Sequence, residues 1–178
     1  MKPWKVLGRA PVYRADPWLT VERQKVELPD GRVIPDYHRI IFPDCAGVVA
    51  RVPDGRILVQ RQYRHGPGRV CLTLSGGAMN AGESPVEAAR RELREETGYE
   101  ARDWQPLGSF TLNANYGCGT MHIFSATHAE RTRQPDNDDL EETDLLLMTP
   151  AELQSAIGSG EVAVLAAAVA ILLATRDD

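Results

Sequence analysis

A chain of 178 residues is long enough to fill one well-packed core and too short for two full domains. Hydrophobic residues make up 43% and charged residues 25%, and the formal net charge of -5 argues against a general nucleic-acid binder, which needs a basic face. Three cysteines, Cys45, Cys71 and Cys118, have neither a disulfide framework nor CxxC spacing and are expected as buried thiols.

The N-terminal run MKPWKVLGRAPVY is too polar for a signal peptide, so a cytoplasmic protein is the expectation. Residues 4–8 and 11–14 read as two short strands, followed by a longer one over Leu19 to Leu28. Pro29-Asp30-Gly31 is a turn signal, after which Arg32 to Ile34 and Tyr37 to Phe42 continue the sheet. Residues 1–42 are thus an N-terminal strand region ahead of a main domain over residues 43–178.

Gly47 to Val52, the turn Pro53-Asp54-Gly55 and Arg56 to Gln62 read as a hairpin of aliphatic strands. Its far end, Gln60-Arg61-Gln62-Tyr63-Arg64-His65, is expected at the surface. Arg64 stands just ahead of a glycine loop, where a guanidinium can pair bidentately with phosphate. Val70 to Leu74 is a short strand leading into Gly76-Gly77.

The stretch Gly76 to Tyr99, GGAMNAGESPVEAARRELREETGY, organises the chain. Its helix is announced by Ser84 as N-cap, Pro85 at the first helical position and Glu87 closing a capping box. Gly98 ends it, because glycine accepts the left-handed conformation after a helix. At 100° per residue Val86, Ala89 and Leu93 share an apolar sector, while Glu92, Glu95 and Glu96 share a neighbouring one with Arg91 on its flank. Three carboxylates on one face repel and call for a cation. Two readings stand side by side here: a solvated acidic face, or a hard oxygen cluster beside a glycine loop, suited to Mg2+ or Mn2+ holding a phosphate.

The segment resembles the Nudix box at each fixed position: Gly77, five residues, Glu83, seven residues, Arg91-Glu92-Leu93, one residue, Glu95-Glu96, one residue, Gly98 and bulky Tyr99. The run VVARVPDGRILVQRQYRHG ahead of the box, an acidic loop after it and a helical tail are similar to the family's ADP-ribose pyrophosphatase branch. The resemblance implies an α/β fold, an α/β/α sandwich with a mixed sheet and an accessory N-terminal antiparallel sheet that supports a homodimer. It implies metal-dependent hydrolysis of a pyrophosphate bond in a nucleoside diphosphate linked to another moiety, foremost ADP-ribose to AMP and ribose 5-phosphate. Glu92, Glu96 and the Gly76 carbonyl are then the Mg2+ or Mn2+ ligands, with Glu95 as a further ligand or the base. Arg91 orients the glutamates or neutralises phosphate, Glu83 fixes the loop by hydrogen bonds, and Arg64, matching the family's QYR, binds substrate. The branch usually reads ELPAG where this chain has Thr73-Leu74-Ser75-Gly76-Gly77. Another nucleotide sugar or a dinucleotide therefore stays open as substrate, and a non-catalytic nucleotide-sensing domain is the rival from outside enzymology.

Beyond the box, Trp104 to Leu112 and Thr120 to His128 read as strands around the loop Asn113 to Gly119. Tyr116 in that loop can stack on a base or ribose, or the loop is a tight connection alone. Glu130 to Glu142 is a polar acidic loop, and the resemblance places the general base in it, at Asp136 or Asp138, or at Glu141 after a shift. Leu145 to Met148 is a last strand. Thr149-Pro150 with Glu152 starts a short helix. Val162 to Ala174 is an apolar helix that stops short of the ~20 residues needed to cross a bilayer. No membrane and no nucleic acid are expected as partners, only a small nucleotide diphosphate and a second copy of the chain.

Overall fold

The computed structural model describes residues 1–136 and 142–176. It divides into two compact units, Met1–Asp44 with Phe110–Thr120 and Cys45–Ser109 with Met121–Asp178.

In the first unit, β1 (Lys5–Ala15), β2 (Leu19–Glu27) and β3 (Val33–Ile41) form an antiparallel meander. The two short strands expected over residues 4–14 are one long strand, with register shifts between Val6 and Gly8 and between Pro11 and Tyr13 that absorb the irregular sequence. Ile40 of β3 pairs in parallel with Gly117, the first residue of β9 (Gly117–Arg131). Val26 and Gln24 are the only buried residues in this unit. Its aromatic side chains stand in the open, with Tyr13 58% and Trp18 73% exposed.

The second unit holds two sheets. In one, β4 (Cys45–Ala50) runs parallel to β9 from Cys45↔Met121 to Ala50↔Ala126 and antiparallel to β7 (Gly76–Ala78), while β8 (Tyr99–Asn113) pairs with β9. In the other, β5 (Ile57–Arg64) lies between β10 (Thr143–Met148) and β6 (Arg69–Thr73). The hairpin expected across Pro53-Asp54-Gly55 is therefore a corner between two sheets. The turn forms, with Gly55 at φ 89, yet Arg51↔Ile57 is a single isolated bridge. Residues 46–50 of β4 and 57–60 of β5 are buried without interruption, and runs of this kind pack on two faces rather than zip along one hairpin.

The period-two alternation of β4 sets out the layers. Val48 and Ala50 pack with Leu93 of α1 (Pro85–Thr97). Val49 faces the other way, into a cluster with Leu153 and Ala156 of α2 (Pro150–Ser159) and Ala167, Ala170 and Ile171 of α3 (Leu165–Ala174). Helices thus cover both faces of the mixed sheet, the α/β/α sandwich anticipated above. The last helix starts at Leu165 rather than Val162, because Val164 is still extended at φ -100, ψ 122. Among the described residues no helix is long and apolar enough to cross a membrane.

Candidate active site

Local chemistry builds α1. Ser84 at φ -75, ψ 154 is its N-cap, and its backbone N–H donates to Glu87 Oε2 at 2.9 Å. Pro85 follows at the position where a missing N–H does no harm. Gly98 closes the helix at φ 72, its N–H reaching Arg94 O at 3.0 Å. The buried face is Ala88, Ala89, Leu93 and Thr97, one step round from the expected face, with Val86 only half-buried.

On the other side of the helix one guanidinium gathers three carboxylates. Arg91 Nε donates to Glu83 Oε1 at 2.9 Å, and Nη1 to Glu92 Oε1 at 2.6 Å and Glu95 Oε2 at 3.2 Å. Glu83 also accepts the Asn80 N–H at 2.9 Å, which ties the loop to the helix. Its bond to Arg91 holds the Glu83 carboxyl below the ordinary carboxylate range, and the same bond raises Arg91. Burial raises Glu92 against the pull of Arg91.

Glu96 stands apart from that guanidinium cluster. Its Oε2 accepts the Gly76 N–H at 3.1 Å and a Gln60 Nε2 hydrogen at 3.0 Å. Burial pushes its carboxyl up to about 7, the Gln60 bond opposes the shift and the neighbouring Glu92 charge adds to it.

The two loop glycines have different tasks. A Cβ on Gly76 would meet Ala46 O at 2.6 Å and Gly47 Cα at 2.7 Å, so glycine permits β7 to lie against β4. A Cβ on Gly77 would meet the Glu92 carboxylate at 2.6 to 2.7 Å. The loop backbone and that carboxylate are in direct apposition.

This arrangement fits a hard divalent cation. Glu92 and Glu96 stand one helical turn apart, burial disfavours charge on both, and the backbone of a glycine loop lies beside them. Among the described residues no three His, Cys, Asp or Glu side chains form a ready metal cluster. Mg2+ needs no such cluster, since it is held by one or two carboxylates together with water and substrate phosphate.

Arg64 ends β5 on the same strand face as Gln60 and Gln62. Gln60 and Gln62 are 2% and 4% exposed, which corrects their expected surface position. The carboxamide of Gln62 has two sets of partners. With its nitrogen toward Gln60 it donates to Gln60 Oε1 at 3.1 Å and Thr73 Oγ1 at 2.9 Å. Turned over, its oxygen accepts from Arg64 Nη2 at 2.6 Å and Nε at 3.1 Å, and its nitrogen donates to Thr143 Oγ1 at 3.0 Å. Gln60 Nε2 also reaches Ser75 Oγ at 3.4 Å. Sequence reasoning passed over these glutamines, although the alternation Leu58, Gln60, Gln62, Arg64 continues the buried face of β5 and was the available signal.

The backbone N–H of Asp136 donates to Glu95 O at 2.8 Å, which places this exposed residue beside the last turn of α1. Asp138 and Glu141 lie outside the described residues. Tyr116 is exposed in the first unit, where its N–H bonds Asn113 Oδ1 at 2.8 Å.

A NUDIX domain model matches residues 42–167. The chain belongs to the NUDIX family. A second model, described as a nucleoside diphosphate sugar hydrolase N-terminal domain, matches residues 4–40. The chain is 30% identical over 123 residues to an ADP-ribose pyrophosphatase of Bacillus subtilis (strain 168), covering 67% of this chain and 65% of that protein. It is 32% identical over 130 residues to a CMP-5'-(N-acetyl-N-hydroxy-3-aminopropyl)phosphonate hydrolase of Streptomyces rubellomurinus (strain ATCC 31215), covering 72% of this chain and 63% of that one. The matched stretches thus span less than two thirds of either relative's own length. In fold, this Nudix chain is similar to the crystal structure of an ADP compounds hydrolase, with TM-score 0.85 and 24% identity over 99% of this chain and 94% of that one.

Proposed function

We propose that this Nudix protein hydrolyses the pyrophosphate bond of a nucleoside diphosphate linked to a second moiety, with ADP-ribose giving AMP and ribose 5-phosphate as the foremost substrate. The observation that carries the reading is the apposition of Glu92 and Glu96 to the Gly76-Gly77 loop. The N-terminal match to nucleoside diphosphate sugar hydrolases and the name of the Bacillus relative support the substrate class. A bound Mg2+ or Mn2+ would neutralise charge on the reacting phosphate and make the attacking water more acidic.

Glu92 and Glu96 are the ligands in this reading, with the Gly76 carbonyl and Glu95 beside them. Arg91 keeps Glu92 and Glu95 in place and cannot serve as an acid, because guanidinium stays protonated. Arg64 takes a substrate phosphate and Tyr116 a base or ribose face. A carboxylate of the loop after β9, Asp136 or Asp138, accepts the water proton as oxygen attacks phosphorus and the bond to the bridging oxygen breaks. AMP leaves on one side and the sugar phosphate on the other. Glu95 is the remaining candidate for the base.

The same reading makes the protein a homodimer joined through its N-terminal sheet, which carries many exposed apolar side chains and hardly any core of its own. It also places the chain in the cytoplasm, in keeping with three thiols rather than disulfides. The test is a substrate panel of ADP-ribose, ADP-glucose, GDP-mannose, dinucleoside polyphosphates and nucleoside triphosphates with Mg2+ and with Mn2+. AMP release fastest from ADP-ribose is the expected result. Preference for a triphosphate would overturn the substrate assignment, and the Streptomyces relative's name makes a cytidine compound the next to try.

A further inference from the structure

We infer that Gln60 is a positioning residue for the Glu96 carboxylate, an inference that rests on the reading of Glu96 as a metal ligand. Leu58, Gln60, Gln62 and Arg64 alternate onto one face of β5, and Leu58 packs in the same cluster as Leu93 of α1. That face brings a neutral polar ladder beneath the carboxylate. A buried amide left without partners destabilises a fold by about 1–3 kcal/mol, so a glutamine 2% exposed is kept only where its hydrogen bonds are met. The Gln60 Nε2 is met by Glu96 Oε2 at 3.0 Å and Ser75 Oγ at 3.4 Å, and Oε1 by the Gln62 amide at 3.1 Å in one of that amide's two orientations.

Two N–H donors, from Gln60 and from Gly76, converge on the same Glu96 oxygen. Together they fix where that oxygen sits and therefore the plane in which the carboxylate lies. The donors are also neutral. An arginine or lysine in place of Gln60 would satisfy the buried carboxylate equally well and would repel a divalent cation. Arg91 is engaged with Glu83, Glu92 and Glu95, and the Gln60 and Gly76 donors add no charge of their own beside Glu96. Thr73 and Ser75, two of the positions at which this chain differs from the ELPAG pattern, supply hydroxyls to Gln62 and Gln60 respectively. Gln62 in turn donates to Gln60 in one orientation of its amide and accepts from Arg64 in the other.

The experiment titrates the metal-free full chain with Mn2+ by calorimetry, without nucleotide, for the wild type, Gln60→Met and Gln60→Asn. Methionine keeps the length of glutamine and removes its hydrogen bonds; asparagine keeps the amide but is one methylene too short to reach Glu96. Loss of a partner that orients a metal ligand weakens metal binding by about 10- to 100-fold, and a rise of that size in the Mn2+ Kd is expected in both variants. At saturating Mn2+ the KM for ADP-ribose should stay within about twofold while kcat, counted per folded molecule from the Mn2+ stoichiometry, falls. A wild-type Mn2+ Kd in either folded variant overturns the inference and leaves the metal site standing. Absence of Mn2+ binding in the wild type overturns both.

Discussion

The peptide N–H of Asp136 donates to the carbonyl of Glu95 at 2.8 Å, so the chain that leaves β9 is pinned to the final turn of the acidic helix just before the segment that carries Asp138. Thr132 and Arg133 are held in the same place, both N–H groups reaching Gly98 O at 2.9 and 3.2 Å. The loop proposed to carry the base is anchored at its start beside the carboxylates it would serve.

From this anchoring we expect that Asp136→Asn or Asp138→Asn lowers kcat strongly, since general-base help is typically worth about 10²–10⁴-fold. Mn2+ affinity should change much less, and Asp139→Asn and Glu130→Gln should leave kcat near normal. Steady-state rates with metal titration of the four variants check this. Near-normal kcat in both D136N and D138N moves the base to Glu95.

Gly77→Ala separates geometry from chemistry. The new Cβ would press on the Glu92 carboxylate at 2.6 to 2.7 Å, and a side chain that long can turn away without unfolding the protein. Displacement by about 1 Å at a reacting centre can lower a rate ~10²-fold. The expected outcome is a Tm close to wild type with kcat reduced by about that factor; unchanged kcat would show that Glu92 need not lie against the loop.

Gly98→Ala should act on stability instead. Gly98 has φ 72, and a Cβ there would collide with the Arg133 carbonyl. A non-glycine residue held in the left-handed region costs about 1–3 kcal/mol, and in a chain of this length each kcal/mol lowers Tm by roughly 2–4 °C. A thermal melt indistinguishable from wild type would contradict the account of this position.

How much of this was legible beforehand follows from distance along the chain. The start and end of α1 are written in Ser84, Pro85, Glu87 and Gly98, whose reasons lie within one helical turn, and the box spacing carried the carboxylates with it. The corner between β4 and β5 was not legible, because each strand has a partner, β9 for β4 and β10 for β5, that lies far along the sequence. The short strand Gly76–Ala78 was hidden for a related reason: glycine signals freedom in a sequence, whereas Gly76 is needed for close approach to Gly47. The burial of Gln60 and Gln62 was not legible either, because what meets their amides is a set of hydroxyls and a carboxylate supplied by the stretch after β5 and by α1.

The exposed sheet of the first unit predicts the state of assembly. With Trp18 73% and Tyr13 58% exposed, a closed two-fold pair is the commonest way to cover such a surface. Light scattering at micromolar concentration should give twice the 19.6 kDa of one chain, and Trp18→Glu combined with Tyr13→Glu should shift the mass toward one chain. A wild-type mass near 19.6 kDa would contradict the dimer.

Cleavage of a pyrophosphate bond with a cation held at Glu96 is the activity proposed for this Nudix chain. Its most direct test is the rate of AMP release from ADP-ribose with Mg2+, for wild type beside Glu96→Gln, which keeps the shape of the side chain and removes its charge. AMP and ribose 5-phosphate are expected from the wild type and a rate at least ~10²-fold lower in E96Q at unchanged fold, since a ligand's charge is what holds the metal. Equal rates in the two proteins would contradict it.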